Sequence, residues 1–361
     1  MGQSPESASY NSDKQGVPFY QGNADFGALY PNPRIWCNKP IKLAKENDIL
    51  ISVRAPVGAL NFSKEECCIG RGLAAITLDS NDFLLEFIYW SLRTGVKELQ
   101  SKSTGSTFKS INKKTLEEVR IPKISLKEQK DIIRNLTLLT NILAKYKHEI
   151  VFLDELVKAR FVEMFGDPIT NDMLWNTVKL NDVCYGIGDG LHGTPEYDEY
   201  GEYPFINGNN LKNGMIEITP STKMVNEDIY RKYFIKLTEN TILLSINGTL
   251  GNLALYNGEK VVLGKSACYC NLIPDINRIF VCSVMKTDAF SNFLESNATS
   301  STIKNIGLKV IREFELIVPP LELQNQFASF VQEIDKSRSR IQKSLEASQE
   351  LFDSLMQEYF G

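Results

Sequence analysis

The chain has 361 residues, 43% hydrophobic and 23% charged, which is length enough for two domains and ordinary composition for a protein with real cores. A net charge of −4 excludes a chain-wide basic field for holding nucleic acid, and no apolar run approaches the roughly 18 residues of a membrane span. Seven cysteines in an odd count without a C-x2-C pair, with only His148 and His192 beside them, argue against a disulfide framework and against a metal site. Reduced, buried thiols are expected, and the N-terminal residues carry no apolar stretch of a secretory signal, so cytoplasmic residence is the default.

Along the chain, short β-branched runs bounded by Gly, Pro and Asn come first, such as Asp48-Ile-Leu-Ile-Ser-Val53, and these read as strands. A helix is predicted over residues 82–99, rich in Phe, Leu and Trp90. Ile121-Pro122-Lys123 then bars helix continuation and favours extended backbone. Beyond it the apolar positions Ile132, Leu136, Leu139, Leu143, Tyr146, Ile150, Leu153 and Val157 follow in alternating steps of four and three, the seam of a coiled coil. A helix over Leu126–Phe165 would be about 60 Å long at 1.5 Å per residue.

The remainder repeats this plan. DELVKARFVEMFG at 154–166 returns as QELFDSLMQEYFG at 349–361, TGSTFKSI at 104–111 as TSSTIKNI at 299–306, and LKEQ at 126–129 as LELQ at 321–324. Slightly smaller offsets bring ENDILISVRAPVG (46–58) over ENTILLSINGTLG (239–251) and VPFYQGN (17–23) over YPFINGN (203–209). A second strand is expected at 241–246, and a second helix at 278–295. The second seam runs Phe327, Val331, Ile334, Arg338, Ile341, Leu345, Ser348 and Phe352, with Arg338 and Ser348 as polar interruptions that fix register or meet a polar partner. The repeat far exceeds the 20–50 residues of a solenoid unit, so it is a duplicated domain plus helix. The expected fold class is α+β, with two tandem mixed α/β domains and two long helices pairing as an antiparallel coiled coil about a pseudo-twofold. Its parts are a first domain at 1–123, a helix at 124–166, a second domain at 167–318 and a helix at 319–361. The first domain is expected to be N-terminally short by about a strand, because residues 167–203 precede the proline of the second run, Pro204, while only 17 residues precede Pro18. Charge divides unevenly, with net +3 over 1–123 and −5 over 167–318.

Catalytic constellations are missing. There is no phosphate-binding G-x-x-x-x-G-K-[ST], no H-E-x-x-H, no nucleophile elbow and no Asn-Pro-Pro-Tyr or Asp-Pro-Pro-Tyr run. Gly186-Ile-Gly-Asp-Gly190 suggests a dinucleotide turn, but no helix pattern follows, so it reads as a loop with His192 a backbone-bonded turn residue. Glu46, Asp48 and Glu239 fit capping or loop hydrogen bonds better than acid–base work. The chain reads as one built to recognise.

Two globular domains each followed by a long helix, with Pro122…Leu126…Gln129 and Pro320-Leu321…Gln324 leading in, Ser/Thr-rich turns at 104–109 and 299–304, the Phe-Gly endings at 165–166 and 360–361, and Asp189-Gly-Leu-His-Gly-Thr-Pro195, resemble the specificity subunits of type I restriction–modification enzymes. The resemblance covers nearly the whole chain, and its architecture is more specific than any one motif. It implies a non-catalytic subunit whose target-recognition domains each read half of a bipartite duplex DNA target, with the helices as spacer. It also implies docking of two methylation subunits carrying S-adenosylmethionine, and recruitment of restriction motor–nuclease subunits that use ATP and Mg2+. Neither a cofactor nor a metal is expected in this chain. A coiled-coil adaptor without DNA specificity, or a DNA-modifying enzyme with an unfamiliar site, remain the alternatives.

Under that resemblance, positions recurring in both halves suit phosphate contact: Thr104, Ser106, Thr107 and Lys109 with Thr299, Ser301, Thr302 and Lys304, and Arg71 with Lys265. Positions that differ suit base reading: Gln21, Asn23 and Arg54 against Asn207, Asn209 and Asn247. His192 joins them as a candidate contact.

Overall fold

The computed structural model describes residues 1–101 and 110–361, and divides them into two compact units, one of residues 1–148 with 342–361 and one of residues 149–341. In the first unit the strand Ile49–Ser52 lies between Leu60–Phe62 and Leu73–Ile76, antiparallel to both. All four of its residues are buried, which explains an unbroken apolar run where a half-exposed strand would alternate. Beside it, Val17–Tyr20 runs parallel to Cys67–Ile69 within a five-stranded sheet of short strands.

The second unit repeats both features. Thr241–Ser245 is fully buried and sits between Leu253–Leu255 and Ala267–Leu272, while Tyr203–Ile206 runs parallel to Val262–Leu263. Here the sheet gains a fourth strand, Cys184–Asp189, along Ala267–Leu272, and a further pair forms from Thr177–Lys179 and Glu315–Ile317. Neither has a counterpart among the described residues of the first unit.

The duplication extends to single hydrogen bonds. Ser52 Oγ donates to the carbonyl of Pro56 and accepts from the amide of Ala59, and Ser245 Oγ does the same with Thr249 and Asn252. Both serines are buried, so each closes its turn with a hydroxyl that water cannot replace.

The residues 82–99 and 278–295 behave differently from one another. The first forms one helix, Leu85–Ser101, but the second breaks into Arg278–Val284 and Asp288–Asn297. The break has a local cause. Thr287 turns its hydroxyl and amide onto the Val284 carbonyl, at 2.7 and 3.1 Å, ending the first helix before Asp288 opens the next. The glycine-rich run at 186–190 also departs from the expected loop, for Cys184–Asp189 is a strand with a bulge between Cys184 and Gly186. Glycine at 188 leaves room for the Tyr269 ring, whose hydroxyl would lie 2.6 Å from a Cβ there.

Two 40-residue helices, Leu126–Phe165 and Leu321–Phe360, carry the predicted seams, and every seam position is buried or half-buried. In the first unit, Ile132, Leu136, Leu139 and Leu143 form a cluster with Phe352 and Met356, to which Trp90 and Phe87 of Leu85–Ser101 add their rings. In the second unit, Phe161 and Phe165 pack edge-on against Phe327, at 5.6 and 5.4 Å. In each unit the start of one long helix meets the end of the other, so the pair is antiparallel. Arg338 interrupts the seam by reaching Asp154 at 2.5 Å, while its Nε is buried without an acceptor among the described residues.

Each long helix is pinned by a glutamine. Gln129 and Gln324 are both wholly buried. Gln129 Oε1 accepts from the amide of Leu84 and its Nε2 donates to the carbonyls of Asp82 and Ile124. Gln324 accepts from Asn277 and donates to Pro319. The glutamine of the shared L-x-x-Q run thus ties each long helix to the residues that open an earlier helix, Leu85–Ser101 in the first unit and Arg278–Val284 in the second.

Candidate nucleic-acid interface

In the first unit the loop after Val17–Tyr20, the loop after Ile49–Ser52 and the loop between Cys67–Ile69 and Leu73–Ile76 meet at one edge. The amide of Gly70 donates to Tyr20, that of Val53 to Gly72 and that of Ile111 to Val53, which fixes four segments of backbone side by side. Gln21, Asn23, Arg54 and Arg71 line a cleft of about 190 Å3 there, with Ser4, Gly22, Ala55 and Gly72. The sequence placed these four candidates far apart, and the fold brings them together. Asp25 holds the 21–25 turn, accepting from the Gln21 amide at 2.8 Å and pairing with Arg34 at 2.6 Å. The side chains of Gln21, Asn23, Arg54 and Arg71 make no hydrogen bond or ion pair among the described residues; Gln21, Arg54 and Arg71 are exposed and Asn23 is half-buried. Thr104, Ser106, Thr107 and Lys109 lie outside the described residues.

The second unit builds the same edge from the same bonds. Gly264 donates to Ile206, Ile246 to Ser266 and Ile306 to Ile246, and Lys265 donates to Leu191. His192, Asn207, Asn247, Lys265 and Lys304 thereby come from five segments to one edge. Their commitments differ from those of the first unit. Asn207 Oδ1 accepts from Ser266 Oγ at 3.0 Å, and Ser266 Oγ accepts from the amide of Gly208. Asn247 donates to Asn305 at 3.4 Å. Asn209 and Lys265 remain exposed.

The 299–304 turn is largely self-satisfied. Thr299 Oγ1 accepts from the Asn305 amide and lies 3.0 Å from Ser301 Oγ, which donates to the Ile303 carbonyl. Thr302 and Lys304 are exposed. His192 is not the backbone-bonded residue expected from its loop. Its ring lies 2.8 Å from the Asp189 carboxylate, with the imidazole 60% exposed and the carboxylate 16%.

Three contributors escaped the sequence reading: Ser4, whose Oγ accepts from the Arg71 amide at 3.3 Å, Ser266 and Asp189. Only the structure reveals the role of residues 2–4. Gln3 donates to Ile69 as Leu191 donates to Leu263, so this segment occupies the place that Gly190 and Leu191 hold in the second unit. A Cβ at Gly2 or Gly190 would come within 2.2 or 1.9 Å of a carbonyl oxygen, so both approaches require glycine. No group of three or more His, Cys, Asp or Glu that could hold a metal occurs among the described residues.

Comparison with known proteins agrees with this duplicated design. The sequence profile of the type I restriction modification DNA specificity domain matches residues 5–151 and again 173–349. A provisionally named MjaX type I restriction enzyme specificity subunit of Methanocaldococcus jannaschii is 45% identical over 143 residues, 40% of this chain, and the match spans only 34% of that relative. The MjaIX specificity subunit of the same organism is 22% identical over 88% of this chain and 77% of its own length. The crystal structure of the S subunit of a type I restriction-modification system from M. genitalium shares the fold with a TM-score of 0.62 at 17% identity, covering all of this chain and 92% of that one. With both halves matched by the same profile, the chain belongs to the type I restriction modification DNA specificity domain family.

Proposed function

We propose that the chain is the non-catalytic DNA-recognition subunit of a type I restriction–modification complex. One domain, residues 1–123, reads one half of a bipartite duplex target, and the other, residues 167–318, reads the second half. The helices at 124–166 and 319–361 set the unread spacer and dock two methylation subunits, which bring S-adenosylmethionine, and the assembly takes up ATP-driven restriction subunits. On this reading the chain works in the cytoplasm. No described helix is long and apolar enough to cross a membrane.

The observation that carries this reading is one backbone frame built twice with different side chains at its edge. A shared frame suits the shared task of meeting a duplex. Unlike side chains suit two half-sites of unlike sequence. Gln21, Asn23 and Arg54 in the first domain and Asn207, Asn209 and Asn247 in the second are offered to bases. Arg71, Lys265, Thr299, Ser301, Thr302 and Lys304, with His192 and with Thr104, Ser106, Thr107 and Lys109, are offered to phosphates. Because net charge is −4, phosphate binding is local, and basic methylation subunits would share it.

Co-expression with a methylation subunit in a host lacking other methylation, followed by mapping of modified bases, tests the proposal. One split motif with a fixed spacer is expected. Methylation that is absent, or that falls on a single contiguous motif, would overturn it.

A further inference from the structure

Resting on that DNA-recognition reading, we propose that Arg54 reads a guanine in the half-site taken by the first domain, while Arg71 beside it holds a phosphate. The root of Arg54 is fixed. Val53 before it is bonded on both sides, to Gly72 at 2.9 Å and Ile111 at 3.0 Å, and Ser52 closes the following turn through Pro56 and Ala59. Arg54 is exposed, and among the described residues no carboxylate lines the cleft that it and Arg71 share.

A guanidinium offers donors only, in a planar fork. In the major groove only guanine presents two adjacent acceptors, O6 and N7. Adenine sets a donor beside its N7, cytosine offers a donor, and thymine sets a methyl beside its single acceptor. An unpartnered arginine on a rigid root is therefore a guanine selector.

The second unit shows that this is particular to the first. Asn247 stands where Arg54 stands and is engaged with Asn305. Ser266 stands where Gly72 stands and ties down Asn207 and Gly208. In the first unit a Cβ at 72 would lie 2.2 Å from the Gln21 carbonyl oxygen, so glycine keeps that place open. Position 71 carries a cation in both halves, as Arg71 and Lys265, which suits the sequence-neutral phosphate.

The experiment uses the complex with its methylation subunits on its mapped target. The first-domain half-site is the half unchanged when residues 167–318 are replaced. Duplexes carrying 7-deazaguanine, which lacks the N7 acceptor, at each guanine of that half are compared by binding titration. One substitution should weaken binding about tenfold, and should cause no further loss in Arg54→Ala. Arg54→Ala itself should weaken cognate binding about 10- to 100-fold and accept other bases at that one position. Arg54→Lys should keep the salt dependence while losing the base preference. Arg71→Ala should weaken binding to all sequences alike and reduce the log–log salt slope by about one.

A half-site without guanine overturns the proposal. So does 7-deazaguanine sensitivity that survives in Arg54→Ala, or an Arg54→Ala effect uniform across sequences. Failure of the complex to discriminate any DNA sequence would instead remove the recognition reading itself.

Discussion

Gln129 and Gln324 are the buried polar residues whose loss should matter most to folding. Each satisfies a backbone amide and at least one carbonyl in a place closed to water, so an apolar replacement strands groups that cannot be resolvated. Gln129→Leu and Gln324→Leu should each lower unfolding free energy by about 2 to 4 kcal/mol, read from denaturant midpoints. A loss below about 0.5 kcal/mol would contradict the pinning role. The thiols make a second residue-scale prediction. Burial pushes the Cys67 thiol up to about 11, partly opposed by its contact with Ser63, while an ordinary thiol lies near 9. The raised value means the folded state keeps its advantage below about pH 9 and loses it between about 9 and 11, on the order of 2 kcal/mol. Cys67→Ala should therefore flatten the alkaline fall in stability across that window, and an unchanged slope would speak against it. Burial also raises the Tyr20 hydroxyl, so only the difference between the two proteins isolates Cys67.

At the scale of elements, the long helices were the most legible part of the sequence, because a strict alternation of four and three admits one buried stripe and little else. Leu136, wholly buried in that stripe, should cost about 3 kcal/mol when cut to alanine. Arg338 should behave otherwise. Its ion pair with Asp154 is half in solvent, and its Nε lacks an acceptor among the described residues, so the charge contributes little net stability. Arg338→Leu should leave the unfolding midpoint unchanged or raise it, and a loss above about 2 kcal/mol would show the pair to be a major support. The buried strands at 49–52 and 241–245 were equally plain from their apolar runs between turn residues. The break at Thr287 and the glycine strand at 184–189 were not, since the first turns on one hydroxyl folding back onto the Val284 carbonyl and the second on atoms distant in the chain. Tyr269 decides the second, and it is some eighty residues away in sequence. The edge residues were half legible for the same reason: the repeat located Gln21, Arg54 and Arg71, while Ser4 and Ser266 became visible only once their loops met.

For the whole molecule, duplication with divergence is the organising fact, and it runs from domain order down to the paired turns of Ser52 and Ser245. Surface charge differs between halves, +3 over 1–123 against −5 over 167–318, so the first domain should carry more of the salt-sensitive binding. Modular recognition makes the sharpest demand on the account. Residues 167–318 are replaced by the corresponding domain of another family member, and the methylated sequence of the resulting complex is mapped. The account predicts that one half of the split motif changes while the other half and the spacer stay as they were. Change in both halves, or in neither, would contradict it.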